Sequence, residues 1–169
     1  MPADVRRSAK RSPALAASAV KRVATQLLAE LGLADAELSV LLTDDATIHR
    51  LNLEWRKQDK PTDVLAFPID ERAGRAAHER KTGGRDVVLG DVAISLDTAE
   101  RQARSRKRDL MSEVRFLLAH GVLHLIGFDH GTPREKKEMV ALTRRLVRAS
   151  STKAPPTRRA RKATRRSPA

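Results

Sequence analysis

The apolar pattern between residues 110 and 126 constrains the fold of this chain most strongly. Leucine, isoleucine and valine recur there at intervals of three and four residues, the period of one face of an α-helix. The positions are Leu110, Val114, Leu117, Leu118, Val122, Leu125 and Ile126. Because a helix this apolar has to be covered by other elements, we predict that it is the buried central helix of the fold.

Two histidines lie within this helix, four residues apart. Residues at that spacing share one face about one turn apart, so His120 and His124 can present two imidazoles to the same ion. Gly127 allows the helix to end and the chain to reverse, which would bring His130 to the same point. Three nitrogen ligands leave one position of a tetrahedral ion open, as in catalytic zinc sites. The run HGVLHLIGFDH therefore predicts a metal-dependent hydrolase that holds one Zn²⁺, with other divalent metals as alternatives.

The same histidine spacing occurs in zinc peptidases, whose motif is HExxHxxGxxH. The glutamate of that motif activates water for peptide cleavage, and Gly121 stands at its position here. A zincin-like peptidase or another metal hydrolase remains an alternative, but it would need a different base. Asp129 either orients a ligand imidazole or belongs to an ordinary turn.

The length of 169 residues suits one domain with tails. We predict a basic, flexible N-terminus over residues 1–12, a metallohydrolase domain over 13–149, and a disordered arm rich in arginine and lysine over 150–169. The arm lacks large apolar side chains and contains three prolines, so it cannot bury enough surface to offset the entropy of ordering.

The formal net charge of +13 is concentrated at the two ends of the chain. Clustered cations of this kind attract polyanions, of which nucleic acid is the commonest. Base stacking has few side chains to use, because the aromatic residues are Trp55, Phe67, Phe116 and Phe128 and tyrosine is absent. Binding should therefore depend mainly on phosphate contacts and weaken strongly as salt increases.

The absence of cysteine excludes disulfides and thiolate metal sites, and agrees with a reducing cytoplasm, where we expect the protein. An apolar run approaching the roughly 18 residues of a membrane span is also absent, so we expect no membrane association.

The order of the predicted elements favours an α+β fold, in which a small mixed β-sheet packs against helices and the central apolar helix carries the metal-binding HxxxH. The elements are a helix over residues 13–31, a strand over 38–43, a helix that carries Ile48, Leu51 and Trp55, a strand over 64–67, an exposed polar loop over 70–85, a strand over 86–95 with a bulge or break at Gly90, a helix over 96–106, the central helix, and a final helix from Pro133.

Three motifs together identify a resemblance. The run HGVLHLIGFDH, the segment LNLEWRKQDKPTDVLAFP over residues 51–68 and the segment LGDVAIS over 89–95 resemble the YbeY family of bacterial endoribonucleases. The resemblance implies a small α+β metalloprotein in which three histidines hold zinc, and which acts in maturation of the 16S ribosomal RNA 3′ end and in late ribosome quality control. It also implies single-stranded ribosomal RNA as the main partner, with ribosomal subunit proteins as further partners.

On this resemblance, His120, His124 and His130 fall on the metal-ligand positions of the family and Arg56 on its functional arginine. A guanidinium binds phosphate bidentately, so Arg56 would stabilise the charge that develops on a phosphodiester during cleavage. Two residues depart from the family pattern, since Ala66 replaces a serine and Phe128 a tyrosine.

A third functional alternative is an RNA-binding or ribosome-binding assembly factor whose metal is mainly structural, which a fourth protein ligand on the ion would support.

Overall fold

The computed structural model describes residues 3–8, 15–129 and 131–152, and these form four strands and six helices. In chain order they are β1 (Ala3–Arg7), α1 (Ala17–Glu30), β2 (Glu37–Thr43), α2 (Asp45–Arg56), β3 (Val64–Pro68), α3 (Glu71–Arg80), β4 (Val88–Ser95), α4 (Leu96–Ser105), α5 (Leu110–Leu125) and α6 (Pro133–Thr152).

The strands form one mixed sheet in the order β1-β2-β4-β3. Strands β1, β2 and β4 are parallel to one another, and β3 runs antiparallel to β4 at the edge of the sheet. The register between β2 and β4 shifts after Glu37, so that Leu38 lies opposite Gly90. Gly90 has a φ of +133°, and a Cβ there would collide with the carbonyl oxygen of Phe67. These features confirm the predicted α+β fold with a small mixed sheet, and the predicted bulge at Gly90.

The two faces of the sheet are covered unequally. Since successive side chains of a strand point to opposite faces, Val40 and Val92 reach the main core together with α1 and α5, whereas Leu65 and Ala93 pack with Ile48 of α2 on the other side. Most of α5 is buried, as predicted. The central helix therefore lies on the larger core, with β3 and β4 directly beneath it.

The structure corrects the predicted loop over residues 70–85. Most of this segment is helix α3, which begins with the Asp70 side chain accepting a hydrogen bond from the Ala73 backbone N–H. Its buried residues are Gly74 and Ala77, and a Cβ on Gly74 would come within 3.1 Å of Ile126. The prediction was wrong because a helix that packs through such small residues leaves almost no apolar periodicity in its sequence.

Both predicted tails contribute ordered elements. Residues 3–7, assigned to the flexible N-terminus, form β1, which pairs with β2 and buries Ala3. Helix α6 runs to Thr152, and Ser150, assigned to the C-terminal arm, is buried and accepts a hydrogen bond from Arg115. The sequence did not predict β1 or this end of α6, because Val5 in β1 and Ser150 in α6 give too little apolar pattern to indicate a buried strand or helix end. The remainder of the predicted arm, residues 153–169, lies outside the described residues.

Among the helices of the described segments, none combines the length and the apolar character that crossing a bilayer requires.

Candidate active site

A cleft of about 710 Å³ lies between α5, β3, the segment that follows α2, and the start of α6. His120 and His124 line the cleft from α5, and Arg56 lines it as the last residue of α2. Lys60 lines it from the segment after α2, and Lys136 from α6. Three of the four candidate residues identified from the sequence thus line one cleft, whereas His130 lies outside the described residues.

The two histidines are arranged as a pair. Their Nε2 atoms are 3.2 Å apart, their ring centroids are 4.8 Å apart, and their rings are inclined by 75°. Two nitrogen ligands about 2.0–2.1 Å from one tetrahedral ion lie about 3.3–3.4 Å apart. The separation of His120 and His124 therefore suits two ligands of one such ion. In the parts of the chain that the structure describes, no cysteine, carboxylate or further histidine joins them in a cluster of three.

The local sequence explains how α5 positions this pair. The Asp109 carboxylate accepts a hydrogen bond from the Ser112 backbone N–H, which caps the helix and holds the pKa of that carboxyl below its usual range. The fully buried Glu113 accepts a hydrogen bond of 2.6 Å from Arg106. At the other end Gly127 has a φ of +88°, the left-handed conformation predicted for the turn after the helix.

Gly121 allows the helix to lie close to the sheet. A Cβ built on it would be 2.7 Å from Cγ1 of Val92 and 3.4 Å from Cγ2 of Val64, both side chains of the strands below. A glutamate at this position, as in the zinc peptidases, would have to push α5 away from β4. The close packing of α5 on the sheet therefore explains why position 121 carries glycine and not the glutamate that acts as base in zinc peptidases.

Arg56 is exposed but anchored at one side. Its Nη2 donates a hydrogen bond of 2.9 Å to the backbone carbonyl oxygen of Ala66 in the edge strand β3. The next residue, Lys57, adopts a left-handed φ of 57° and ends α2. Because the acceptor is a main-chain atom, this contact does not depend on which side chain stands at position 66. A guanidinium held in this way keeps further N–H groups for a phosphate.

A buried asparagine holds the segment after α2 against the helix, and sequence reasoning missed it. Nδ2 of Asn52 donates to the Lys60 backbone carbonyl oxygen at 2.8 Å, and the backbone carbonyl oxygen of Asn52 accepts from the Gln58 backbone N–H. Asp63 accepts from the Val64 backbone N–H at 2.8 Å and from Nε2 of Gln102 at 3.1 Å. These contacts fix one wall of the cleft, and both oxygens of Asp63 are used in doing so.

The N-terminus of α2 is fixed to α4 by a second network. The Asp45 carboxylate accepts hydrogen bonds of 2.6 Å from the hydroxyls of Ser95 and Thr98, and of 2.8 Å from Nη2 of Arg101. Burial raises the pKa of Asp45, but these three bonds outweigh it, so the pKa lies below its usual range. The network orients α2, whose far end carries Arg56.

Two other histidines have structural partners. Nε2 of His49 lies 2.7 Å from a carboxylate oxygen of Asp59 at the surface. Nδ1 of His78 lies 2.8 Å from the carbonyl oxygen of Leu31, and its ring forms a T-shaped pair with that of Phe128. The Arg75 guanidinium lies 4.0 Å above the same Phe128 ring. These contacts hold Phe128 in place by packing.

Comparison with known proteins points to one family. The family model described as Endoribonuclease YbeY matches residues 5–151. A protein of Anaeromyxobacter dehalogenans named Endoribonuclease YbeY is 47% identical over 136 residues, which are 80% of this chain and 65% of that protein. One of the same name from Aquifex aeolicus is 48% identical over 120 residues, 70% of this chain and 73% of that protein.

The first of these relatives is longer than the segment it shares, since this chain spans 65% of its length. Among solved structures, the solution structure of a Thermotoga maritima protein matches with a TM-score of 0.57 and 24% identity, covering 92% of this chain and 100% of that protein. This likeness supports the fold alone.

Proposed function

The chain belongs to the endoribonuclease YbeY family, as its three motifs predicted, and on this premise we propose that it is a zinc-dependent endoribonuclease specific for single-stranded RNA. We further propose that it acts in 16S ribosomal RNA 3′-end maturation and late ribosome quality control. The observation that carries the proposal is the pair of Nε2 atoms 3.2 Å apart in a cleft that Arg56 also lines.

The side chains of the cleft divide into two groups by their chemistry. His120 and His124 would hold the ion, with His130 as the third ligand expected from the sequence. When bound, zinc supplies a Lewis acid and a source of nucleophile at neutral pH. Arg56 would donate to the phosphate oxygens and stabilise the charge that accumulates there, while Lys60 and Lys136 would hold neighbouring phosphates.

The shape and charge of the cleft favour RNA over a peptide substrate. Its walls carry Arg56, Lys60 and Lys136, and the carboxylate of Asp63 is already bonded to Val64 and Gln102. A peptidase of the zincin type would need a glutamate at position 121, where the sheet leaves no room for one. Ribosomal subunit proteins are the protein partners that we expect for such an enzyme.

The test uses purified protein and a labelled single-stranded ribosomal RNA fragment, with the matching duplex as a second substrate. We expect cleavage of the single strand that a chelator abolishes and added zinc restores. His124→Ala and Arg56→Ala should each lose cleavage, whereas His49→Ala, a surface histidine paired with Asp59, should cleave normally. Cleavage that persists in His124→Ala would place the activity elsewhere, and metal-dependent cleavage of an unstructured protein would favour the peptidase alternative. RNA binding without cleavage would favour the assembly-factor alternative.

A further inference from the structure

Phe116 is the one phenylalanine among the described residues that line the cleft. It is half-buried, one turn before His120 on α5. The other aromatic side chains lie elsewhere, with Trp55 and Phe67 in a groove on the opposite face of the sheet and Phe128 beneath Arg75. Phe116 packs partly against the main core, and its exposed part lines the cleft beside the histidine pair.

The orientation of this ring follows that of the neighbouring imidazole. The planes of Phe116 and His120 are inclined by only 13°, with centroids 6.4 Å apart. The Arg108 guanidinium lies 5.9 Å from the Phe116 centroid, and Nε of Arg108 is 3.9 Å from the buried carboxylate of Glu113. The ring therefore has a neighbouring cation whose own position is tied to a carboxylate in the core.

We propose that Phe116 is a stacking subsite for one nucleobase of the RNA strand, next to the phosphate that is cleaved. The inference rests on the proposed function and adds to it a specific contact with a base. A phenyl ring offers every base the same π-face, and the Arg108 guanidinium over the ring adds positive charge, so the subsite binds a base without selecting its identity. The cations Arg56, Lys60 and Lys136 then bind the flanking phosphates.

The first experiment compares two identical substitutions on opposite faces of the sheet. Phe116→Leu removes the ring from the cleft, and Phe67→Leu removes a half-buried ring from the groove on the other side. Binding of a short single-stranded RNA is measured by fluorescence anisotropy with a chelator present, so that cleavage does not interfere. We expect Phe116→Leu to bind about tenfold more weakly than wild type, the loss typical of one stacked base, and Phe67→Leu to bind as wild type does.

The second experiment uses wild-type protein and does not depend on how the variants fold. An abasic nucleotide, which keeps the phosphate charge, is moved along the same RNA one position at a time. We expect wild type to lose about tenfold in affinity at one position, and Phe116→Leu to lose nothing further at that position.

Three results would overturn the subsite. In the first, Phe116→Leu and Phe67→Leu bind the RNA with equal affinity. In the second, the affinity of wild type is the same wherever the abasic nucleotide stands. In the third, wild type loses affinity at one abasic position and Phe116→Leu loses just as much at the same position. If wild type still cleaves single-stranded RNA through His124 in any of these cases, only the subsite fails. If wild type neither binds nor cleaves RNA, both the subsite and the proposed function fail.

Discussion

Replacing Gly121 with alanine tests whether the contact between α5 and the sheet sets the position of the histidines. Helix propensity alone predicts that Gly121→Ala stabilises the protein by about 0.8–1.0 kcal/mol. The new Cβ, however, would lie 2.7 and 3.2 Å from the two γ-carbons of Val92. Val92 is fully buried in β4 between β2 and β3, so it has little room to move.

The magnitudes determine the sign of the change. Overpacking a tight core costs about 1–3 kcal/mol, which exceeds the gain in propensity. We therefore expect Gly121→Ala to lower the free energy of unfolding by about 1 kcal/mol, taking the middle of that range against the propensity gain. Urea denaturation followed by circular dichroism measures this change, with an unaltered m-value showing that unfolding remains comparable.

A second variant isolates the cause. Val92→Ala removes both γ-carbons and should cost about 2 kcal/mol by itself. In that background Gly121→Ala should become stabilising by about 1 kcal/mol, because the added methyl enters the vacated space and the propensity gain remains. If Gly121→Ala stabilises the otherwise unchanged protein, or if its effect is the same in both backgrounds, the close packing of α5 on Val92 is not what requires glycine.

Three further predictions concern charge. Arg56→Lys should reduce the rate of RNA cleavage by a factor of about 10²–10³, which cleavage kinetics measure. The unfolding free energy should change by only about 1 kcal/mol, because one hydrogen bond to Ala66 is lost, and urea denaturation measures this change. Because the pKa of Asp45 is lowered in the folded protein, its ionised form stabilises the fold fully above the unfolded pKa of about 4, and this contribution is lost as the pH falls through the folded pKa. The difference in unfolding free energy between wild type and Asp45→Asn should therefore shrink as the pH falls through that range. A difference that stays constant down to low pH would contradict the assignment. Deleting residues 153–169, which spares the buried Ser150, should flatten the dependence of log Kd for RNA on log salt; an unchanged slope would remove those cations from RNA binding.

The elements with strong periodicity were predictable from the sequence. Helix α5 and the strands that bury Val40 and Val92 follow from apolar spacing. Helix α3 was missed because Gly74 and Ala77 supply its buried face, and small residues give a weak periodic signal. Strand β1 was missed because its stability comes from pairing with β2, a long-range contact that a pentapeptide does not encode.

The candidate site shows the same division. The spacing of His120 and His124 predicted a shared helix face, which the structure places in the cleft, because helix geometry is local. Lys136 and Phe116 were not identified as cleft residues, since their approach depends on how α5 and α6 pack against the sheet. The role of Asn52 was also hidden, because an asparagine among apolar helix positions gives no sign of the Lys60 carbonyl that it binds.

A zinc titration of the metal-free protein tests the central claim most directly. Single-stranded RNA cleavage is measured as zinc is added to wild type, to His120→Ala and to His49→Ala. We expect the rate for wild type and His49→Ala to rise in proportion to zinc and to stop rising at one ion per chain, with no rise in His120→Ala. Full cleavage by the metal-free protein, or a rise in His120→Ala equal to that of wild type, would contradict the assignment of the histidine cleft as the metal-dependent active site.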